Sequence, residues 1–205
     1  MKKISEPSMT IVEEGKLNQI RTLRTDGVSF ADEACAQDFS GYQFYECTFS
    51  HVTFSGRLSG ILFVDVIFDH CDFSNCDMEE AVFRRVQMKG CRLTGSQLIR
   101  ASFQDVSIRS CRCDYANFSA SKWLRAELID SMFSESAFTL VKFRDVSVSE
   151  CSFRNAEFFD SPLSGIDFST SDISGFSVRP EDLRGCIMNT EQAAACAVLL
   201  GIRVV

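Results

Sequence analysis

Ten cysteines and two histidines are the residues of this chain best equipped for chemistry. Cys71, Cys91 and Cys111 recur at a spacing of twenty, with Cys151 two such intervals further on. A column of thiolates at fixed spacing could hold a soft metal ion. The same residues could instead be reduced thiols filling small apolar slots, where free cysteine behaves as a compact hydrophobe. The filler reading is preferred. His51 and His70 are the only imidazoles, and Ala, Ser and Val occupy equivalent positions elsewhere. Seven cysteines (Cys47, Cys71, Cys76, Cys91, Cys111, Cys151 and Cys186) share one recurring slot. Cys113 takes another, and Cys35 and Cys196 fall in neither. A disulfide framework belongs to secreted chains with small cores. The N-terminus, MKKISEPSMTIVEEG, lacks the apolar stretch of a secretory signal, so no disulfides are expected. Neither histidine stands at a recognised spacing from a nucleophile, and phosphate-loop, dinucleotide and zinc motifs are absent. No catalytic residue, cofactor or metal is predicted: the chain reads as a binding protein and not an enzyme.

Composition narrows the partners. The 205 residues carry a formal charge of −7, with 45% hydrophobic and 24% charged residues, enough apolar content for a packed domain. No run approaches the roughly 20 apolar residues that cross a bilayer, so a cytoplasmic chain without membrane contact is expected. The acidic balance disfavours direct nucleic-acid binding. Nineteen phenylalanines against three tyrosines and one tryptophan point to one kind of buried position used many times.

That position recurs every five residues. Stepping by five from Leu58 to Leu183 gives 26 positions, all apolar, among them Phe63, Phe68, Phe73, Phe83, Phe103, Phe118, Trp123, Phe133 and Phe143. The same step upstream gives Phe39, Phe44, Phe49 and Phe54, with only four residues from Phe54 to Leu58. Two residues before each centre, from Ala81 to Ser136, every side chain is small or β-branched. A period of five fits neither a helix nor a flat strand. A chain that turns by about 90° every five residues would point both sets inward. Four such faces would close a square coil of twenty residues, and coils would stack at about 4.8 Å.

The segments CDFSN (71–75), ANFSA (116–120), AEFFD (156–160), IDFST (166–170) and SDISG (171–175) resemble the A(D/N)LXX motif of the pentapeptide-repeat family. The resemblance covers about residues 39–188. It implies an all-β fold, a right-handed quadrilateral parallel β-helix. Tyr42, Phe176 and Glu181 in the small slot, Trp123 at a centre and the short step after Phe54 depart from the pattern and predict local bulging.

The ends differ from the repeat. Residues 1–30 are expected to be an N-terminal arm or cap, in which MTIVEE could be a strand and KLNQIRTLR a short helical turn. The coil is expected over 31–188. Residues 189–205 are expected to form a helix and tail, with Asn189 as N-cap, Gln192 completing a capping box and Gly201 as the stop. Ala193, Ala194, Ala197, Val198, Leu200 and Ile202 offer more apolar surface than one coil end needs. The module therefore either caps the coil or also joins a two-fold partner. The family resemblance implies a homodimer through this C-terminus.

The coil arrangement sorts the charges. The face centred on Phe68, Met88, Ile108 and Leu128 bears Glu127, Asp130, Glu150 and Asp167 in its C-terminal half, a candidate acidic interaction face. The adjoining face bears Arg84, Arg85, Lys122, Arg125, Lys142 and Arg144, a candidate basic face. Its column Arg85, Asp105, Arg125, Asp145 alternates in sign. Residues 58–126 hold 9 bases and 8 acids (+1), whereas residues 127–182 hold 4 bases and 11 acids (−7). Resemblance to the Qnr and MfpA group implies a rod that mimics duplex DNA, binds DNA gyrase or topoisomerase IV and confers quinolone resistance. The basic face fits that picture less well than the acidic half does. The alternatives are a scaffold or toxin-immunity protein with an unrelated protein partner, and an anionic ligand on the basic face.

Overall fold

The quarter-turn at each fifth residue has a backbone cause. One residue per pentad takes the left-handed conformation, two positions after each centre. Asp65, Arg85, Asp105, Arg125 and Asp145 form one such corner column, with φ between 51° and 56°. Three further columns include His70, Gly90 and Ser110; Asn75, Gly95 and Tyr115; and Gly60, Glu80 and Arg100. Most of these residues are not glycine, so each corner costs about 1–2 kcal/mol. The stacking of neighbouring coils offsets that cost.

The protein, described from a computed structural model over residues 3–11 and 13–204, is a right-handed quadrilateral β-helix with one short C-terminal helix. Met1, Lys2, Val12 and Val205 lie outside the described residues. Five strands, β8 (Leu62–Asp69), β9 (Val82–Lys89), β10 (Ser102–Arg109), β11 (Lys122–Ile129) and β12 (Lys142–Ser149), pair in parallel with a register of twenty: Phe63 faces Phe83, then Phe103, Trp123 and Phe143. Each strand spans two faces and the corner between them. The other two faces are turns joined by single bridges such as Asp72 to Arg92 and Asp77 to Gln97.

The first coils are one residue shorter. β2 (Arg24–Asp26) pairs with β5 (Gln43–Tyr45), β3 (Val28–Ala31) with β6 (Thr48–Ser50), and β4 (Ala34–Cys35) with β7 (Thr53–Phe54), all with a register of nineteen. The short step after Phe54 is thus the second of two, the first running from Cys35 to Phe39. Two expectations change. The coil starts near Arg24, inside the segment expected as an arm. Cys35 occupies a buried centre beneath Phe54 rather than lying outside the repeat. Of the strand expected in MTIVEE, β1 (Glu13–Glu14) is described and pairs with β3. The expected helical turn is a single 3₁₀ turn at Leu17–Gln19.

The centres form aromatic ladders. Phe83 stacks on Phe103 at 5.0 Å and Phe103 on Trp123 at 3.9 Å; on another face Phe118, Phe138 and Phe158 stack at 4.9 and 4.8 Å. Of the 26 centres from Leu58 to Leu183, only Phe143 and Leu183 are less than fully buried. Trp123 causes no bulge, because Ser121 in the small slot accepts its indole N–H at 2.9 Å, which satisfies the one polar group the ring brings inside. Thiols and hydroxyls in the small slot do the same job. Cys71 Sγ donates to the Phe49 carbonyl at 3.3 Å and Ser96 Oγ to the Phe73 carbonyl at 2.8 Å.

Residues 3–11 run up the outside of the coil. The Ser8 amide donates to Asp65 Oδ1 at 3.0 Å and the Ser5 amide to Asp105 Oδ1 at 3.1 Å. Three extended residues reach about 10 Å, which matches two coil spacings. Ile4 is buried beside this track. At the other end, α1 (Thr190–Ala197) has Asn189 as N-cap in a complete capping box with Gln192. Gln192 Nε2 also donates to the Phe168 and Ser171 carbonyls, tying the helix to the last coil.

Candidate functional site

A filled coil presents only its outer faces and ends. Outward side chains stand on either side of each centre, and a residue's vertical neighbours lie twenty positions away. Charge placement is therefore set by the repeat, and partners follow from it.

On the corner between the first two faces, Arg85 grips Asp65 through Nε at 2.6 Å and Nη2 at 2.5 Å, and Arg125 grips Asp105 at 2.7 and 2.6 Å. The alternating column read from the sequence is thus a pair of forked ion pairs. Burial pushes the Asp65 carboxyl up, but hydrogen bonds from Arg85 and the Ser8 amide outweigh it, so its pKa lies below the ordinary value. Asp105, only 3% exposed, is held low chiefly by the Arg125 hydrogen bond. Two of the six residues expected as a basic face are therefore committed to internal pairing.

The other four are not. Arg84, Lys122, Lys142 and Arg144 make no ion pair among the described residues, whereas Arg57, Arg92 and Arg100 each pair with a carboxylate one coil away. Lys122 and Lys142 face each other directly across β11 and β12. The outward positions of this face in β8–β12 hold no acid; those without cations are Leu62, Val64, Val82, Ser102, Gln104 and Leu124.

The acidic set is dispersed. Glu127 is paired with Arg109 at 2.9 Å, and Asp130 accepts from Ser110 Oγ at 2.9 Å. Asp130 and Glu150 occupy one corner column, and the Asp167 carboxylate caps the Ser169 amide at 2.8 Å. Sequence reasoning passed over Glu135 and Glu157, and placed Asp145 only in the alternating column and not in the acidic set. With Asp130, Glu150 and Asp167 they make six carboxylates without an ion pair among the described residues of 127–182. The face-by-face sorting missed them because they lie on other faces and corners.

The cap stays open to solvent. Val198, Leu200 and Ile202 are exposed, Val198 by 67%; Ala193 is exposed, and Ala194 and Ala197 are half-buried. The hollow between α1 and the last coil is lined by Ile173, Phe176, Gln192, Cys196 and Leu199. Eight of the cysteines are buried. Burial pushes the thiols of Cys47, Cys76 and Cys151 up to about 11. Among the described residues no cluster of His, Cys, Asp or Glu is placed to hold a metal ion, and no helix is long and apolar enough to cross a membrane.

The unbroken pairing of residues twenty apart has a counterpart in sequence: residues 61–131 match the family model described as a pentapeptide repeat region. The chain carries a pentapeptide-repeat region. Among curated proteins it is similar to the quinolone resistance pentapeptide repeat protein QnrB96 of Scandinavium goeteborgense, 24% identical over 129 residues. That alignment takes in 62% of this chain and 60% of the relative's length. Among solved structures it is similar to a trypsin-treated form of QnrB1, a plasmid-mediated fluoroquinolone resistance protein. That match has 23% identity, a TM-score of 0.43 and coverage of 97% and 98% of the two chains. It is also similar to HetL of the cyanobacterium Nostoc, a pentapeptide-repeat protein involved in heterocyst differentiation regulation. Here the identity is 14%, the TM-score 0.46 and the coverage 80% and 89%.

Proposed function

We propose that this pentapeptide-repeat protein is a non-catalytic binding protein whose acidic C-terminal half engages the DNA-binding surface of a type II topoisomerase, DNA gyrase or topoisomerase IV, and so protects it from quinolones. The observation that carries the reading is the set of six unpaired carboxylates, Asp130, Glu135, Asp145, Glu150, Glu157 and Asp167, on a rigid coil. Fixed carboxylates at coil spacing offer a DNA-binding groove the anionic pattern that it meets on a duplex. Similarity to a protein named for quinolone resistance supports the choice of partner. The exposed cap residues Val198, Leu200 and Ile202, with Ala193, Ala194 and Ala197 at the helix surface, would join two copies. A dimer would place the two acidic halves side by side at the centre of a longer rod.

The test is gyrase supercoiling with a quinolone present, with and without the purified protein. Restored supercoiling is expected, and the variant Glu150→Lys with Asp167→Lys should restore less. A protein that neither binds the enzyme nor changes its quinolone sensitivity would refute the proposal.

A further inference from the structure

The coil pairs its cations with some consistency. Between Arg57 and Arg154, eight arginines lie within ion-pair distance of a carboxylate. Five cations do not, and four of these, Arg84, Lys122, Lys142 and Arg144, stand on one face. Lys122 and Lys142 stack at about 4.8 Å in parallel register, an arrangement that is repulsive in the free chain. At the edge of the same face Leu140 is 57% exposed and sits on a left-handed corner (φ 61°). Its amide bonds to the carbonyl of Phe159, itself 39% exposed. Phe143, between Lys142 and Arg144, is the one ring of its ladder that is not fully buried. The unpaired cations of this sheet face thus border, across the corner at Leu140, the partly exposed Phe159 ring on the adjoining face, with Phe143 partly exposed between Lys142 and Arg144.

We propose that this face docks an acidic protein segment that carries apolar side chains between its carboxylates. The carboxylates would answer Lys122, Lys142 and Arg144 and relieve their mutual repulsion. The apolar side chains would cover Leu140, Phe143 and Phe159. A bare phosphate backbone has nothing to set against these apolar groups. The acidic half and the basic face would then hold two different partners, so the proposal stands apart from the topoisomerase reading.

The test uses the full chain and a random glutamate–tyrosine copolymer as probe, with polyglutamate, a DNA duplex and phosphatidylserine vesicles as competitors. Saturable, salt-sensitive binding of the copolymer is expected, tighter than that of polyglutamate. Lys122→Glu with Lys142→Glu and Arg144→Glu should weaken it by about tenfold or more. Leu140→Ser with Phe159→Ser should weaken the copolymer and leave polyglutamate unchanged, which separates the apolar part from the charges. Arg112→Glu, on another face, should change neither. Circular dichroism and melting of each variant confirm that the coil is intact, and Lys122→Gln with Lys142→Gln gives a milder second reading. Binding insensitive to the charge reversals overturns the proposal, as does equal or better competition by the duplex or the vesicles.

Discussion

Gly56 lies in the second of the two short steps, directly above Gln37 in the first, and a methyl group added there has nowhere to go. A Cβ at position 56 would lie 2.1 Å from the Gln37 carbonyl oxygen, 2.8 Å from its carbon and 3.0 Å from the Ala36 oxygen. All three are backbone atoms, so relief requires the two coils to separate rather than a side chain to rotate. Gly56→Ala should therefore cost about 3 kcal/mol, the upper end for overpacking. For a domain of this size that lowers Tm by about 6–12 °C. Gly60→Ala is the control. Gly60 has φ +65° but nothing within 4 Å of an added Cβ, so the change costs only about 1 kcal/mol, or about 2–4 °C. Thermal melting by circular dichroism reads both. If Gly56→Ala melts with or above Gly60→Ala, the stacking of the two short steps is not what requires glycine, and the account of the nineteen-residue coils fails.

Other outcomes are open to direct measurement. Leu140→Gly relieves a left-handed leucine whose side chain is mostly in solvent, so it should raise Tm by about 2–4 °C. Asp65 and Asp105 titrate below their ordinary value. Their contribution is therefore complete above about pH 4 and is lost as pH falls through their lowered folded values. Asp105→Asn should lower the guanidinium midpoint at neutral pH and flatten its decline on acidification. In thiol titration of the native protein only Cys186 and Cys196, the two not fully buried, should react quickly, the other eight waiting for unfolding. Hydrogen exchange should show the Ser5 and Ser8 amides protected, and Ile4→Asp should release both together, because Ile4 is the one buried side chain among the described residues 3–11.

The centres from Leu58 onward were legible because stacking allows no polar side chain there, so the constraint is written at every fifth position. The alternating column Arg85, Asp105, Arg125 was legible for a related reason: vertical neighbours have a fixed separation. The earliest coil was hidden because its centres include Thr25 and Cys35 rather than aromatic rings. The corners were hidden as well. Gly, Asn, Asp and His, which enter the left-handed region more readily, hold some of them, but Arg, Glu, Ser, Tyr, Ala and Leu hold the others, so no residue type marks the position; closure of the coil imposes it. The Arg109–Glu127 pair crosses coils at a spacing of eighteen, outside the vertical register, so it depends on side-chain direction and not on count. The seat of the arm rests on two backbone amides, which leave no mark on residue type.

Since each turn of the coil meets the next through the same register of twenty, inserting a duplicate of residues 82–101 would lengthen the molecule by one division of a ruler, about 4.8 Å, while existing neighbours kept their spacing. An insertion of one residue would instead rotate the sequence pattern above it out of phase with the faces. The reach of such a molecule across a partner can thus be lengthened in whole steps by gene duplication, whereas the one-residue shortenings present here, at 35–39 and 54–58, stack directly on each other so that the register closes again above them.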